Sequence, residues 1–151
     1  MSNQTEKIPV PIHVTDEELI PYYATEFASG CDARAAIDRD LTIEPGTSAI
    51  VPTGIRLELP IGFEIQVRPR SGFAAKNQIT ILNTPGTIDS DYRGEICIIL
   101  MNLGKSPFVI RPKMRVAQLV LSPVIQAEFI QQESLATTAR GSGKFGHTGT
   151  N

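Results

Sequence analysis

The feature that most narrows what this chain can fold into is the shortness of its apolar runs and the regularity with which Pro and Gly cut them. Leu41-Thr42-Ile43, Ala49-Ile50-Val51 and residues 55–59 (IRLEL) follow one another with only Pro45-Gly46 and Pro52-Thr53-Gly54 as punctuation. Residues 55–59 alternate apolar and charged, which buries one face of a strand and wets the other. Residues 63–67 repeat the pattern after Pro60-Ile61-Gly62. Elements of this length and spacing predict a sandwich or barrel-like sheet and not βαβ units. Residues 8–14 predict a first strand, at an edge because proline cannot donate to a ladder. Residues 16–19 allow one helical turn at most. Residues 107–110, 115–121 and 124–130 predict the remaining strands. Residues 73–76 (FAAK) form the best helical segment, with Ser71 at the position of its N-cap.

At 151 residues the chain is most simply one domain. Its core must be aliphatic, because it has no Trp, three Tyr and six Phe. A net charge of −2 gives no basic stripe for DNA or RNA, so a polyanionic ligand would have to be received by local cations or a metal. Cys31 and Cys97 are far apart and predict reduced core thiols, with neither a disulfide nor a zinc framework. No run approaches the ~20 apolar residues of a membrane span, and there is no basic-plus-hydrophobic leader. A soluble cytoplasmic protein is the expectation.

Residues 83–96, NTPGTIDSDYRGEI, lie between the apolar runs 79–82 and 96–101. Pro85-Gly86 and the Asp89-Ser90-Asp91 cluster are turn chemistry, so the pattern predicts a hairpin. Its tip holds Asn83, Asp89, Asp91, Tyr92, Arg93 and Glu95, a density of carboxylates beside an aromatic ring that suggests a site. Residues 96–100 are apolar at every position, so both faces of that strand should be covered, one of them by another subunit. Asp32 stands alone as an acid in its stretch. Arg68 and Arg70 flank a predicted helix start whose free N–H groups make a phosphate seat at Ser71 and Gly72. Gln118 is the single polar interruption of residues 115–121 and meets either backbone or a ligand. From Thr137 on, TTARGSGKFGHTGTN is Gly-rich and cannot bury enough to order itself. Its Arg140, Lys144, Phe145, His147 and Thr148 suit a lid that closes on a nucleotide polyphosphate. His13 and His147 lack metal-ligand spacing.

Taken in order, SGCDARA (29–35), PRSGFA (69–74), NTPGTIDSDYRGEI (83–96), RVAQLVL (115–121) and RGSGKFGHTG (140–149) resemble the five motifs of the trimeric all-β dUTP diphosphatase family. Departures are Cys31 and Ala33 around Asp32, Lys113-Met114 before Arg115, and Lys144 and His147 in the tail. The resemblance implies an all-β, distorted jelly-roll or barrel-like domain over residues 1–136, with one short helix. Residues 137–151 would be a flexible C-terminal lid. It implies a homotrimer whose three sites lie between subunits. No nucleic acid and no membrane would be involved.

The activity it implies is Mg²⁺-dependent hydrolysis of dUTP to dUMP and pyrophosphate. This would limit uracil incorporation into DNA and supply dUMP for dTMP synthesis. Asp89 would be the base that activates water against the α-phosphorus. Spacing alone does not separate it from Asp91, and the resemblance selects Asp89. Arg70, Ser71, Gly72, Gln118 and Arg140 would meet the phosphates, and Asp32 would touch Mg²⁺ through water. Asn83 with the backbone of Gly86, Thr87 and Ile88 would read uracil. Tyr92 would exclude a 2′-hydroxyl, Cys97 would help line the pocket, and Phe145, Gly146, His147 and Thr148 would close over it. The alternatives are a dCTP deaminase of the same fold and a non-catalytic nucleotide-sensing module.

Overall fold

The structure, a computed structural model, describes residues 6–145 and 148. Eleven strands and one helix make up its regular elements among these residues, apart from a single 3₁₀ turn at Glu17–Leu19 capped by the Asp16 carboxylate. In chain order the strands are β1 (Ile12–Val14), β2 (Cys31–Arg34), β3 (Leu41–Ile43), β4 (Ser48–Pro52), β5 (Ile55–Leu57) and β6 (Phe63–Arg68). Helix α1 (Ser71–Asn77) follows. Then come β7 (Ile79–Ile81), β8 (Gly86–Ile88), β9 (Cys97–Asn102), β10 (Phe108–Ile110) and β11 (Arg115–Pro123).

A four-stranded sheet in the order β2-β11-β6-β8 and a three-stranded sheet in the order β4-β9-β7 enclose one core, flanked by the ribbons β1-β5 and β10-β3. Every pairing is antiparallel. The fully buried apolar side chains are aliphatic, led by Ile43, Ile55, Ile79, Ile81, Ile96, Ile98, Leu100, Ile110 and Leu119, as a sequence poor in aromatic residues requires; Thr53 and Asn102 are polar side chains buried with them. The expected all-β, jelly-roll-like architecture is present, and the edge strand expected over residues 8–14 is reduced to Ile12–Val14, which starts after Pro11 and pairs with β5 alone among the described residues.

Four local expectations need correction. In strand β9 Ile98 and Leu100 are buried, Ile99 and Met101 are half-buried and Cys97 is exposed. Its outer face lies open within a single chain, beside the 66% exposed Ile50 of β4, and Cys97 is therefore not a core thiol. Strands β7 and β9 pair as the hairpin predicts, but the segment between them leaves the sheet, and its β8 pairs with β6 of the other sheet. Residues 124–130 form no strand; Ile125 and Phe129 are each 95% exposed. Finally, the N-cap of α1 is Arg70, without a side-chain cap bond, and Ser71 is the first helical residue.

Candidate active site

Two groups of polar side chains stand on the described surface. The first is built on the outer face of the four-stranded sheet. Alternation along β2 buries Cys31 and Ala33 and turns Asp32 and Arg34 outward. Asp32 is paired across to Gln118 on β11, and Gln118 in turn to Arg68 on β6, so the three form one row. The Asp32 side chain is only 11% exposed, and a carboxylate so covered needs partners. Arg70 Nε lies 3.4 Å from its Oδ1 and Arg115 Nη1 donates to its Oδ2 at 3.2 Å. Arg70 also donates from Nη1 to the Arg115 carbonyl at 3.3 Å and lies over the Phe73 ring, 5.1 Å from its centroid.

Gln118 makes no side-chain hydrogen bond among the described residues, and its carboxamide lies beneath Gly30, where a Cβ would come within 2.9 Å of Oε1. Of the two arginines expected at the helix start, only Arg70 joins this group. Arg68 turns along its own strand and donates to Gln66 Oε1 at 2.7 and 3.2 Å. Ser71 and Gly72 are exposed at the first turn of α1, with open space around Gly72.

The second group is the segment between β7 and β9. Gly86 is buried where a Cβ would press on Val67 at 3.2 Å and on Asn83 Nδ2 at 3.4 Å, so a glycine lets β8 close on β6 beneath the Asn83 amide. Beyond β8 the chain turns: Tyr92 N–H donates to the Asp89 carbonyl at 3.1 Å, and Arg93 Nη1 ties down the Ser90 and Tyr92 carbonyls at 2.7 and 3.1 Å. The Tyr92 hydroxyl donates to the Glu95 carbonyl at 2.9 Å, and its ring lies against Gly94, where any Cβ would collide with it. The Glu95 carboxylate accepts the Gly54 N–H at 2.7 Å and latches the turn to the β4–β5 corner. Asn83, Thr87, Asp89 and Tyr92 are thus presented to solvent on a braced support. The Asp89 carboxylate has no hydrogen bond or ion pair among the described residues.

Neither cysteine is primed for nucleophilic chemistry. Burial pushes both thiols up, with a neighbouring carboxylate adding to it, Asp32 for Cys31 and Glu95 for Cys97. The tail residues Arg140, Phe145 and Thr148 are exposed and join neither group; among the described residues the Arg140 side chain bonds only to Gly143 of its own turn. Gly146 and His147 lie outside the described residues.

Sequence reasoning missed Arg115 as a partner of Asp32. Strict alternation puts residues 115 and 118 on opposite faces of a strand. A register shift between Arg115 and Ala117 inserts an extra residue, a β-bulge that restores both side chains to one face. Val116 and Ala117 are both buried across it, but so are Leu119 and Val120, where the pairing is regular, so the apolar pairs of RVAQLVL do not tell in sequence where the bulge lies.

The dUTPase family model matches residues 16–149. The chain is 63% identical over 131 residues to a deoxyuridine 5′-triphosphate nucleotidohydrolase of Chlamydia pneumoniae, covering 86% of this chain and 90% of that one. Among solved structures it resembles the dUTPase of Staphylococcus bacteriophage 80alpha with dUPNHPP, at a TM-score of 0.81 and 23% identity, over 95% of this chain and 100% of that one. It also resembles a mutant dUTPase of phage phi11 of S. aureus, which coordinates a structural Mg(II) ion, at a TM-score of 0.75 and 21% identity over 84% and 98% of the two chains.

Proposed function

The chain belongs to the dUTPase family and hydrolyses dUTP, and from that premise we propose a site divided between copies of the chain, in which Asp89 of one copy works on a phosphate chain held by Arg70 and Gln118 of another. The observation that carries this is a separation. Ile88 lies opposite Ile65 and Gly86 opposite Val67, so Asp89 follows β8 to the level of Glu64, whereas Asp32, which holds Arg70, lies level with Gln118 and Arg68 on β2, three strands away. At about 3.4 Å per residue along a strand and about 4.8 Å between strands, that offset is roughly 20 Å. A base acting at the α-phosphorus and a cation gripping the same triphosphate have to be far closer than that. The exposed outer face of β9 and β4 and the unpaired segment 124–130 supply apolar surface for a threefold assembly that brings them together.

Water is a poor nucleophile, and the negative charge of the triphosphate repels it. Asp89, braced by its turn and exposed, accepts the proton of a water directed at the α-phosphorus; general-base assistance of this kind contributes about 10²–10⁴-fold. The products are dUMP and pyrophosphate. Arg70, the Ser71 hydroxyl, the Gly72 N–H and the otherwise unbonded Gln118 carboxamide stabilise charge on the departing phosphates. Asn83 and the backbone of Gly86, Thr87 and Ile88 bond the uracil edge, and a site built on such bonds rejects a base that leaves them unpaired by up to about 10⁴–10⁵. The Tyr92 ring, held flat against Gly94, fills the space a 2′-hydroxyl would need, and Cys97 borders the same pocket. The tail from residue 137, whose described part makes only local hydrogen bonds, carries Arg140, Phe145, Gly146, His147 and Thr148 over the bound nucleotide.

Mg²⁺ fits this chain through water. A carboxylate offers about four acceptor sites, and the two arginines occupy one on each Asp32 oxygen. Mg²⁺ retains several of its waters, so Asp32 can contact the hydrated ion without releasing either arginine. When bound, the ion neutralises charge on the phosphates. Hydrolysis here removes dUTP before it enters DNA and supplies dUMP for dTMP synthesis.

Complementation tests the divided site. Asp89→Asn should abolish turnover while dUTP still binds, and Arg70→Gln should turn over poorly. Co-refolding the two variants should restore activity, since mixed assemblies contain sites with a native Asp89 and a native Arg70. Mixtures no more active than their components would sink the divided site, and full turnover by Asp89→Asn would reassign the base.

A further inference from the structure

We propose that Arg115 is a positioning residue for dUTP hydrolysis: acting through Asp32 and its own carbonyl oxygen, it sets the Arg70 guanidinium in the orientation that receives the phosphates. The proposal rests on the reading of Arg70 as a phosphate ligand. Three contacts fix Arg70. Its Nε faces Asp32 Oδ1, its Nη1 donates to the Arg115 carbonyl, and its guanidinium lies on the Phe73 ring. Its Nη2 has no hydrogen bond among the described residues.

A lone arginine and carboxylate tend to close into a bidentate pair, which turns the guanidinium's donors onto the carboxylate and away from any ligand. Arg115 competes with this by donating to Oδ2 at 3.2 Å, and Arg70 meets Asp32 through Oδ1 alone and keeps donors to spare. The bulge next to Arg115 gives the strand the parity this requires. Two guanidiniums around one carboxylate also leave the cluster at a net charge of +1, favourable to an anion, where the Asp32–Arg70 pair alone would be neutral.

The test is binding of dUpNHpp to the full-length protein without divalent cation, with deoxyuridine as the ligand that lacks phosphates. Arg115→Gln should weaken dUpNHpp by about tenfold or more, the scale of one charged hydrogen bond, and leave deoxyuridine within about twofold. Arg115→Lys, which can still reach one carboxylate oxygen, should recover most of the loss. It also provides a folded variant if the Gln protein is unstable. In an Asp32→Asn background the effect of Arg115→Gln should shrink to about twofold or less, because the intermediary is gone. An undiminished loss in that background would make Arg115 a direct phosphate ligand and overturn the proposal. So would unchanged dUpNHpp binding in Arg115→Gln while Arg70→Gln binds weakly. If Arg70→Gln binds dUpNHpp normally, the reading of Arg70 fails first and the proposal fails with it.

Discussion

Asn102 is fully buried at the end of β9, and Asn102→Asp should destabilise the fold by an amount that grows with pH. Its Nδ2 donates to the carbonyls of Ile43 and Ser106, both at 2.9 Å, and its Oδ1 accepts the Gly104 N–H at 2.9 Å. Aspartate has the same shape and keeps the last of these bonds, but it offers no donors when ionised and one when protonated. The protonated form leaves one buried carbonyl unpaired, a loss of about 1–3 kcal/mol. The ionised form sets a carboxylate against two carbonyl oxygens, so the folded protein holds the proton and the folded pKa of the new group rises by about 3–5 units.

Above its unfolded pKa of about 3.9, the folded state then binds more protons than the unfolded state, and stability falls as pH rises, by about 1.4 kcal/mol per unit until the folded pKa is passed. The total loss is about 3–4 kcal/mol at pH 5 and about 5–7 kcal/mol at pH 7, a large share of a typical 5–15 kcal/mol. Urea unfolding followed by circular dichroism at fixed protomer concentration measures the difference between the two proteins at each pH. A loss under about 1 kcal/mol that stays flat from pH 5 to pH 8 would refute the hydrogen-bond account of this residue.

Ile99→Asp places a charge on the open face of β9, beside Ile50; if this face packs in the proposed threefold assembly, sedimentation should show a trimer for the parent protein and a monomer for the variant, with circular dichroism of the protomer retained. Removing residues 140–151 should leave the assembly intact and lower kcat/KM by at least about tenfold, as expected where a closing lid supplies charge and stacking. Gly94→Ala collides with the Tyr92 ring; discrimination between dUTP and UTP should fall by about tenfold or more, with little change in unfolding midpoint, since the Tyr92 ring that must move is exposed.

Much of the fold was legible because strand alternation is a one-chain property. In residues 55–59 the buried Ile55, Leu57 and Leu59 and the exposed Arg56 and Glu58 follow the sequence pattern without exception. What failed depended on partners outside the local sequence. Residues 124–130 have the composition of a strand, but composition does not supply the partner a strand needs, and no described strand pairs with them. The hairpin between β7 and β9 was legible as a pair, whereas β8 was not, because three residues carry too little periodicity to announce that they pair with the other sheet. The shift of the N-cap from Ser71 to Arg70 has a similar origin: Arg70 is held by Asp32 and the Arg115 carbonyl, both remote in sequence.

The same distinction explains which parts of the candidate site could be found by reading. Asp89, Asn83 and Tyr92 sit in one continuous turn, and their grouping survives folding because Arg93, Glu95 and Gly94 brace it locally. Asp32, Arg70, Arg115 and Gln118 come from three segments, and the register of β2 on β11 decides that they meet. One inserted residue in β11 reverses the face on which Arg115 stands. A motif read residue by residue reports Gln118, which interrupts an apolar run, but is silent on an arginine whose direction depends on a bulge. Because Val116 is the extra residue, deleting it should make the pairing regular while Arg115 stays opposite Arg34 on the face of Gln118, so phosphate binding should persist while stability falls with the loss of one buried side chain.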